Sequence, residues 1–360
     1  MMSPLTSMAT DDRSYTNVVV SDSGPSEKKI EAEIPAHRIE QKRHKAIKTL
    51  NDKIKLDGFR EGHIPEAILA QHIGDIGIWE EMAEHALRDI YPALVTDHAL
   101  DVIGTPSISI TKIAPGNPLG FVATTAVMPD IELPDYATIA SKINKKKEPV
   151  TATDADVETA LLQIRRARAH NEALQKGEKI DAQTLEEKDL PPLDIPYLQS
   201  IGDFASIEAF AEKLKEQIQA EKESEAQEKT RMEISESIIE KITTPIPNIL
   251  IQAELDRMIG RLKFDIEQMG FEFEKYLQEI DKSEDNVRDE WKDDAKKRAI
   301  LQLALSKIAG RESLLIDPEK LETEVQRALA QKKDADEKTV RAYLTMALLN
   351  ERVFEFLETL

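Results

Sequence analysis

The side chains able to do chemistry in this sequence are numerous, but their spacing does not assemble a catalyst. The seven histidines are His37, His44, His63, His72, His85, His98 and His170. None falls into a His-Glu-x-x-His arrangement or another tight ligand spacing of the kind a helix-borne metal site needs. Cysteine is absent, which excludes disulfides, thiol nucleophiles and cysteine-ligated zinc and fits a reducing cytosol. A Gly-x-Ser-x-Gly elbow is missing. Gly58-Phe59-Arg60-Glu61-Gly62 lacks the Gly-Lys-Ser/Thr ending of a phosphate loop. The many carboxylates lie on segments that read as solvated helices. No catalytic residue, metal or cofactor is expected.

What the sequence does offer is contact chemistry. In Gly58-Phe59-Arg60-Glu61-Gly62-His63-Ile64-Pro65 an aromatic ring and a guanidinium stand side by side between two glycines. Glycine permits the positive φ of tight turns, and Pro65 suits the first turn of a following helix. An outward Phe59 docks in an apolar pocket, while Arg60 binds phosphate or carboxylate. The same loop also fits a plain helix corner with Phe59 folded into the core. Arg38, Lys42, Arg43, Lys45, Lys48, Lys53, Lys55 and Arg60 lead into or lie in the loop, opposed by Glu40, Asp52 and Asp57, so this segment is locally near +5. A charge run of this kind is also what a solvated helix face looks like. Local fields act over about 8–10 Å at physiological salt, so such a patch can steer binding on a chain of net charge −20.

The elements that must hold this loop read as α+β. Tyr15–Ser21 and Lys29–Ile34 have strand character, with Ile30/Ala32/Ile34 alternating against Lys29/Glu31/Glu33, and the Ser23–Ser26 turn makes them a hairpin. Pro35–Asp52 reads as one helix with Ile39, Ala46 and Leu50 near one face. Glu66–Gly74 and Ile76–His98 read as two more, the second with a stripe of Ile78, Met82, Leu87, Ile90 and Leu94. Val102–Ile113 and Phe121–Val127 return to strand. An antiparallel sheet with helices on one side satisfies this order.

Beyond residue 135 the reading is helical. Lys142–Pro149 is a basic, exposed linker. Asp154–Leu174 is a helix capped by Thr153 or Asp154, and Gly177–Pro196 reads as polar loop. Helices are expected over 206–243, 246–268, 271–281, 284–309, 317–332 and 336–358, punctuated by Pro245, Pro247, Gly310 and Pro318. Residues 1–150 carry net −5 and the remainder −15. An acidic chain of this kind is not a dedicated nucleic-acid binder. No apolar run reaches membrane-spanning length, and the polar residues 1–14 read as disordered rather than as a signal peptide. In the helical half Ile246, Ile249, Leu250, Met258, Phe264, Met269, Phe271 and Phe273 are candidates to line an apolar surface for unfolded polypeptide, where methionine adapts to irregular partners. The alternative for each is ordinary bundle core.

Gly-Phe-Arg-x-Gly-x-x-Pro after a basic helix, before two helices and a returning strand pair, resembles the ribosome-binding signature of bacterial trigger factors. Gly104-Thr105-Pro106, Met128-Pro129-Asp130-Ile131-Glu132-Leu133, the stretch Val150–Ala169 and Asp189–Gly202 extend the resemblance over most of 15–360. It implies an α+β ribosome-binding domain (antiparallel sheet with helices) over 15–135, a linker over 136–153, and an elongated all-α chaperone domain over 154–360. Docking at the exit tunnel of the large ribosomal subunit, against protein and rRNA, would use Gly58, Phe59, Arg60, Glu61, Gly62, Pro65, Arg38, Lys42, Lys45 and Lys48. The resemblance further implies ATP-independent shielding of nascent polypeptides in the bacterial cytoplasm, with no membrane partner and a homodimer as a possible state off the ribosome.

Two features depart from the family pattern. Glu61 stands where a basic residue is common. Residues 175–205 are a short loop in place of the FKBP-type prolyl isomerase domain, which needs about 100 residues and an aromatic-lined pocket; 175–188 hold no aromatic. The chain is therefore expected not to be an enzyme. The competing readings are a prolyl isomerase, as in full-length members, and a general holdase that does not bind ribosomes. A periplasmic holdase would need a secretion signal, which residues 1–25 do not supply.

Overall fold

The computed structural model describes residues 14–60, 62–177, 181, 185–331 and 335–360. The expected disordered stretch 1–14, apart from Ser14, and Glu61 lie outside the described residues, as do parts of 175–188. The chain divides into two compact units, residues 1–132 with 243–300 and residues 133–242 with 301–360.

In the first unit β1 (Thr16–Gly24) and β2 (Glu27–Ile34) form the hairpin read from their alternation, and β3 (Val102–Lys112) pairs with β4 (Leu119–Val127). The sheet order is β1-β2-β4-β3, antiparallel throughout. Register sets Ile30 opposite Ala123, Ala32 opposite Phe121 and Ile34 opposite Leu119. Because side chains alternate faces along a strand, this register gathers the apolar residues of both central strands on one face. All six are buried.

Three helices cross between β2 and β3: α1 (Ala36–Glu40), α2 (Arg43–Lys53) and α3 (Glu66–Asp97). They bury Ile39, Ala46, Leu50, Leu69 and the whole stripe from Ile78 to Leu94 against the sheet. Pro35–Asp52 is thus two helices rather than one, broken at Gln41–Lys42. No glycine or proline lies inside 36–53, so nothing in the local composition signals the break. The two helices expected over 66–98 are present as two segments of α3 that meet at Gly74, whose φ of +77° and ψ of 160° break the helical backbone.

The same unit holds a helical hairpin of α8 (Asn248–Gln268), α9 (Phe273–Glu279) and the start of α10 (Glu284–Arg311). Ile259, Ile266, Phe273, Leu277 and Val287 form one core and Ile251, Leu255 and Ala295 another, with Trp291 packed against both. Ile249 lies against β3. Its Cδ1 is 1.9 Å from where a Cβ on Gly104 would sit, and Gly104 has a φ of +73°. The positive φ favours glycine there, and any side chain would also have to displace the end of Ile249.

The second unit contains α4 (Tyr136–Asn144), α5 (Asp154–Gln175), α6 (Ile195–Ile201), α7 (Ile207–Ile239), the end of α10, α11 (Pro318–Gln331) and α12 (Glu337–Glu358). Two of these correct the sequence reading. The linker expected over 136–153 begins with α4, which Asp135 caps through Thr138. The loop expected over 175–205 ends in α6. That segment is held by arginines of α5: Arg165 donates to the carbonyls of Glu187, Leu190 and Pro191, and Arg168 donates to Pro192 O and Asp194. Arg168 also stacks on Tyr197 at 4.5 Å. Such contacts between residues over 20 apart leave no periodic signature in the sequence.

Helices α7 and α12 are joined through Arg231, whose guanidinium makes two 2.9 Å bonds to Glu351, a further bond to Glu358, and lies 5.4 Å from the Phe354 ring centre. The hydrogen bonds from Arg231 pull the Glu351 carboxyl below its ordinary range. A carboxylate with a depressed folded value stabilises the fold above its unfolded value and loses that contribution as pH falls. Arg231→Met should therefore lower unfolding free energy at pH 7 by about 1–3 kcal/mol, as expected for stranding charged partners. In urea titrations the gap between the two proteins should narrow as pH drops below Glu351's ordinary 4.5.

Candidate contact loop and apolar tip

The loop between α2 and α3 is built from two successive turns. The Phe59 N–H donates to Leu56 O at 3.1 Å and the His63 N–H to Arg60 O at 3.0 Å. Gly58 (φ +90°) and Gly62 (φ +78°) occupy the third position of each turn, where a type II turn requires positive φ. The junction between the turns is Phe59-Arg60, and both residues are exposed. Phe59 is 40% exposed and takes no part in the core; the folded-back corner does not occur. Arg60 is exposed as well.

Beneath the tip the loop is fastened at one buried residue that the sequence reading passed over. Asn51, on the last turn of α2, is 7% exposed. Its Oδ1 accepts the Ile64 N–H at 2.7 Å, its Nδ2 donates to Ile47 O at 3.2 Å, and its backbone carbonyl accepts the Gly62 N–H at 3.3 Å. Ile64 is buried in the core beside partly buried Ile54 and Leu56. Pro65 then precedes α3 in an extended conformation. An asparagine just before a Gly-rich loop is the signal that could have found this fastening, since its amide can satisfy backbone groups that a turn leaves open.

Most of the basic helix is engaged. Lys42 pairs with Asp89 of α3, Arg43 with Glu40 and Glu66, and Lys53 with Glu81. The hydrogen bond from Lys42 holds the Asp89 carboxyl below its ordinary range. Glu81 also lies 3.5 Å from His85 Nε2, which meets Thr49 Oγ1 at 3.0 Å. Arg38 is half-buried and makes interactions of its own. The patch of eight cations read from the sequence thus narrows. Lys45, Lys48 and Arg60 are exposed and close no salt bridge among the described residues, although Lys45 adds to the charge that Lys42 sets beside Asp89. Much of the remaining charge binds α2 to α3.

The apolar candidates of the helical half separate on exposure. Phe264, Met269 and Phe271 are 48%, 70% and 59% exposed. They cluster where α8 ends in a Schellman turn: Phe271 N–H donates to Ile266 O and Gly270 N–H to Glu267 O. Phe273, by contrast, is 3% exposed and belongs to the hairpin core. Ile246 and Met258 pack against the second core cluster, Leu250 is half-buried, and Ile249 lies on Gly104. Among the described residues no group of histidines and carboxylates is arranged to hold a metal, and no helix is long and apolar enough to cross a membrane.

An α+β unit that offers an exposed Phe-Arg tip, and long helices that leave methionine and phenylalanine exposed at a turn, define a chaperone-class architecture. The model for "Bacterial trigger factor protein (TF)" matches residues 16–164, and that for its C-terminus matches 206–357. The chain belongs to the bacterial trigger factor family of ribosome-associated chaperones. The trigger factor of Bacillus pumilus is 24% identical, over 82% of this chain and 87% of its own length. That of Streptomyces avermitilis is 22% identical, over 85% and 81%. A solved structure described as "Promiscuous Substrate Recognition in Folding and Assembly Activities of the Trigger Factor Chaperone" shares the fold, with a TM-score of 0.53 at 17% identity over 96% of this chain and 99% of its own.

Removing the Asn51 amide strands a buried Ile64 N–H. Asn51→Leu should destabilise the first unit by about 1–3 kcal/mol and speed hydrogen exchange at Ile64 and Gly62 more than at β2. Exchange measured by NMR or mass spectrometry separates loop loosening from global loss.

Proposed function

We propose that this chaperone docks on the large ribosomal subunit near the exit tunnel through Phe59 and Arg60, assisted by Lys45 and Lys48, and shelters emerging polypeptide on the apolar tip of α8–α9. The observation that carries the docking reading is the Phe59-Arg60 pair itself. It is exposed at the junction of two turns yet anchored beneath by Asn51 and Ile64, so presenting it costs little conformational entropy on binding. Glu61 adds a negative charge beside the pair, which leaves the cationic part of the contact to Arg60 and the lysines of α2. Lys42 serves as a support, because its charge is engaged by Asp89, and Arg38 is half-buried. The division into a docking segment over 15–135, a linker over 136–153 and a client-binding segment over 154–360 is part of the same proposal, as is a cytoplasmic location.

Phe59→Ala/Arg60→Ala should abolish co-sedimentation with 50S subunits, or weaken it at least about tenfold, as loss of an aromatic–Arg hot spot does, while the unfolding midpoint stays unchanged. Wild-type chain that fails to sediment with ribosomes would sink the proposal.

The short crossover between residues 175 and 194, closed by Arg165 and Arg168, favours a chaperone that holds without isomerising. In refolding of a proline-limited test protein the chain should suppress aggregation without raising the slow rate. Phe264→Ser/Met269→Ser/Phe271→Ser should lose that suppression and keep ribosome co-sedimentation. An accelerated slow phase would point instead to prolyl isomerase activity.

A further inference from the structure

A second cationic surface lies far along the sequence from the docking loop, at the end of α4. Lys142, Lys145, Lys146 and Lys147 fall within six residues of a chain whose net charge is −20. All four are exposed. Lys142 is near enough to Asp135 to add to the Thr138 hydrogen bonds that hold that carboxyl below its ordinary range, and Glu148 follows the run, but among the described residues none of the four closes a salt bridge, although ion pairs are frequent elsewhere on this acidic protein. Cations at a helix C-terminus are favoured by the helix dipole, which accounts for Lys142 and Lys145 but not for Lys146 and Lys147 beyond the end.

The run is also held in place on both sides. Asn144 Nδ2 donates to Leu357 O of α12 at 2.9 Å. After the lysines, Gln219 of α7 fastens the chain twice, donating to Val150 O at 2.8 Å and accepting the Ala152 N–H at 2.7 Å. In between, Lys145, Lys146 and Lys147 donate their backbone N–H groups to Ser141, Ile143 and Asn144. The four ammonium groups therefore stand on an ordered turn, with the backbone cost of ordering it already met within the fold.

We infer that this turn is a contact surface for the phosphate backbone of RNA, separate from the Phe59-Arg60 loop and independent of whether that loop docks as proposed. Lysines act as hydrated point charges that match spaced phosphates without base readout. An acidic protein partner would call for apolar or aromatic anchors beside the charges, and along the chain the nearest exposed large apolar side chains are Met128 and Leu174, neither adjacent to the lysines. At physiological salt the turn's field reaches about 8 Å, short enough for it to act locally despite the acidic remainder.

The test is fluorescence anisotropy of the full chain with a labelled 20-nucleotide oligouridine RNA between 50 and 200 mM KCl. Four phosphate contacts to a single strand contribute about −2.8 to the slope of log K against log salt. Lys142→Ala/Lys145→Ala/Lys146→Ala/Lys147→Ala should remove two to three of those slope units and weaken binding at 50 mM KCl by about tenfold or more. The corresponding four-Arg variant should retain wild-type binding, and both should keep the wild-type unfolding midpoint. Phe59→Ala/Arg60→Ala should keep the greater part of the slope, which separates this surface from the docking loop. An unchanged slope in the four-Ala variant overturns the inference. So does binding of the wild-type turn to polyglutamate but not to the RNA.

Discussion

Ile64 and Asn51 close the corner between α2 and α3, and the exposed tip above them depends on that closure. Ile64 is drawn into the core by burial, which brings its backbone N–H into a place without water. The Asn51 amide satisfies that group and, through its own backbone carbonyl, ties down Gly62 as well. With both ends held, the two glycine turns can carry a large aromatic ring into solvent. Exposing Phe59 is unfavourable taken alone, since burying such a side chain is worth about 1.5–3 kcal/mol. The sheet and helices below supply the compensating burial.

Electrostatics in this molecule works at short range. The whole chain is strongly acidic, yet its interactions are decided by which cations find a carboxylate. Around α2, Lys42, Arg43 and Lys53 are paired with carboxylates, whereas Lys45, near Asp89, and Lys48 are exposed and close no salt bridge. In the second unit Arg165, Arg168 and Arg231 are engaged with carbonyls, carboxylates and rings, and the lysines after α4 are left over. Arginine's planar fork suits the first role and lysine's point charge the second. The division is not strict, since Lys215 pairs with Asp154 and Lys222 with Asp156 in the same unit.

The short crossover between α5 and α6 shows how a helical unit can close without an inserted domain. Two arginines on one helix collect four carbonyls and two carboxylates, those of Glu187 and Asp194, from the returning chain, with Tyr197 stacked over Arg168. This arrangement satisfies backbone groups that no helix or strand would pair. At the far end of the α8–α9 hairpin the Schellman turn has the opposite effect: it ends a helix so abruptly that Met269 and Phe271 have nothing to pack on.

Much of the fold was legible in the chain. The alternation in β2, the stripe from Ile78 to Leu94, and the prolines and caps of the helical half located the strands and most helices to within a few residues, because periodicity reports which face meets a core. The Gly-Phe-Arg-x-Gly-x-x-Pro loop and its family were legible for the same local reason: turn chemistry is written in consecutive residues. Helix α4, helix α6 and the break at Gln41–Lys42 were not, since each is stabilised by partners distant in sequence. Nor could sequence tell that Phe59 stays out while Phe273 goes in, or that Lys42 closes a salt bridge and Lys48 does not. Those outcomes depend on which surfaces the tertiary structure brings together, and burial and ion pairing act through space, whereas the sequence records only order along the chain.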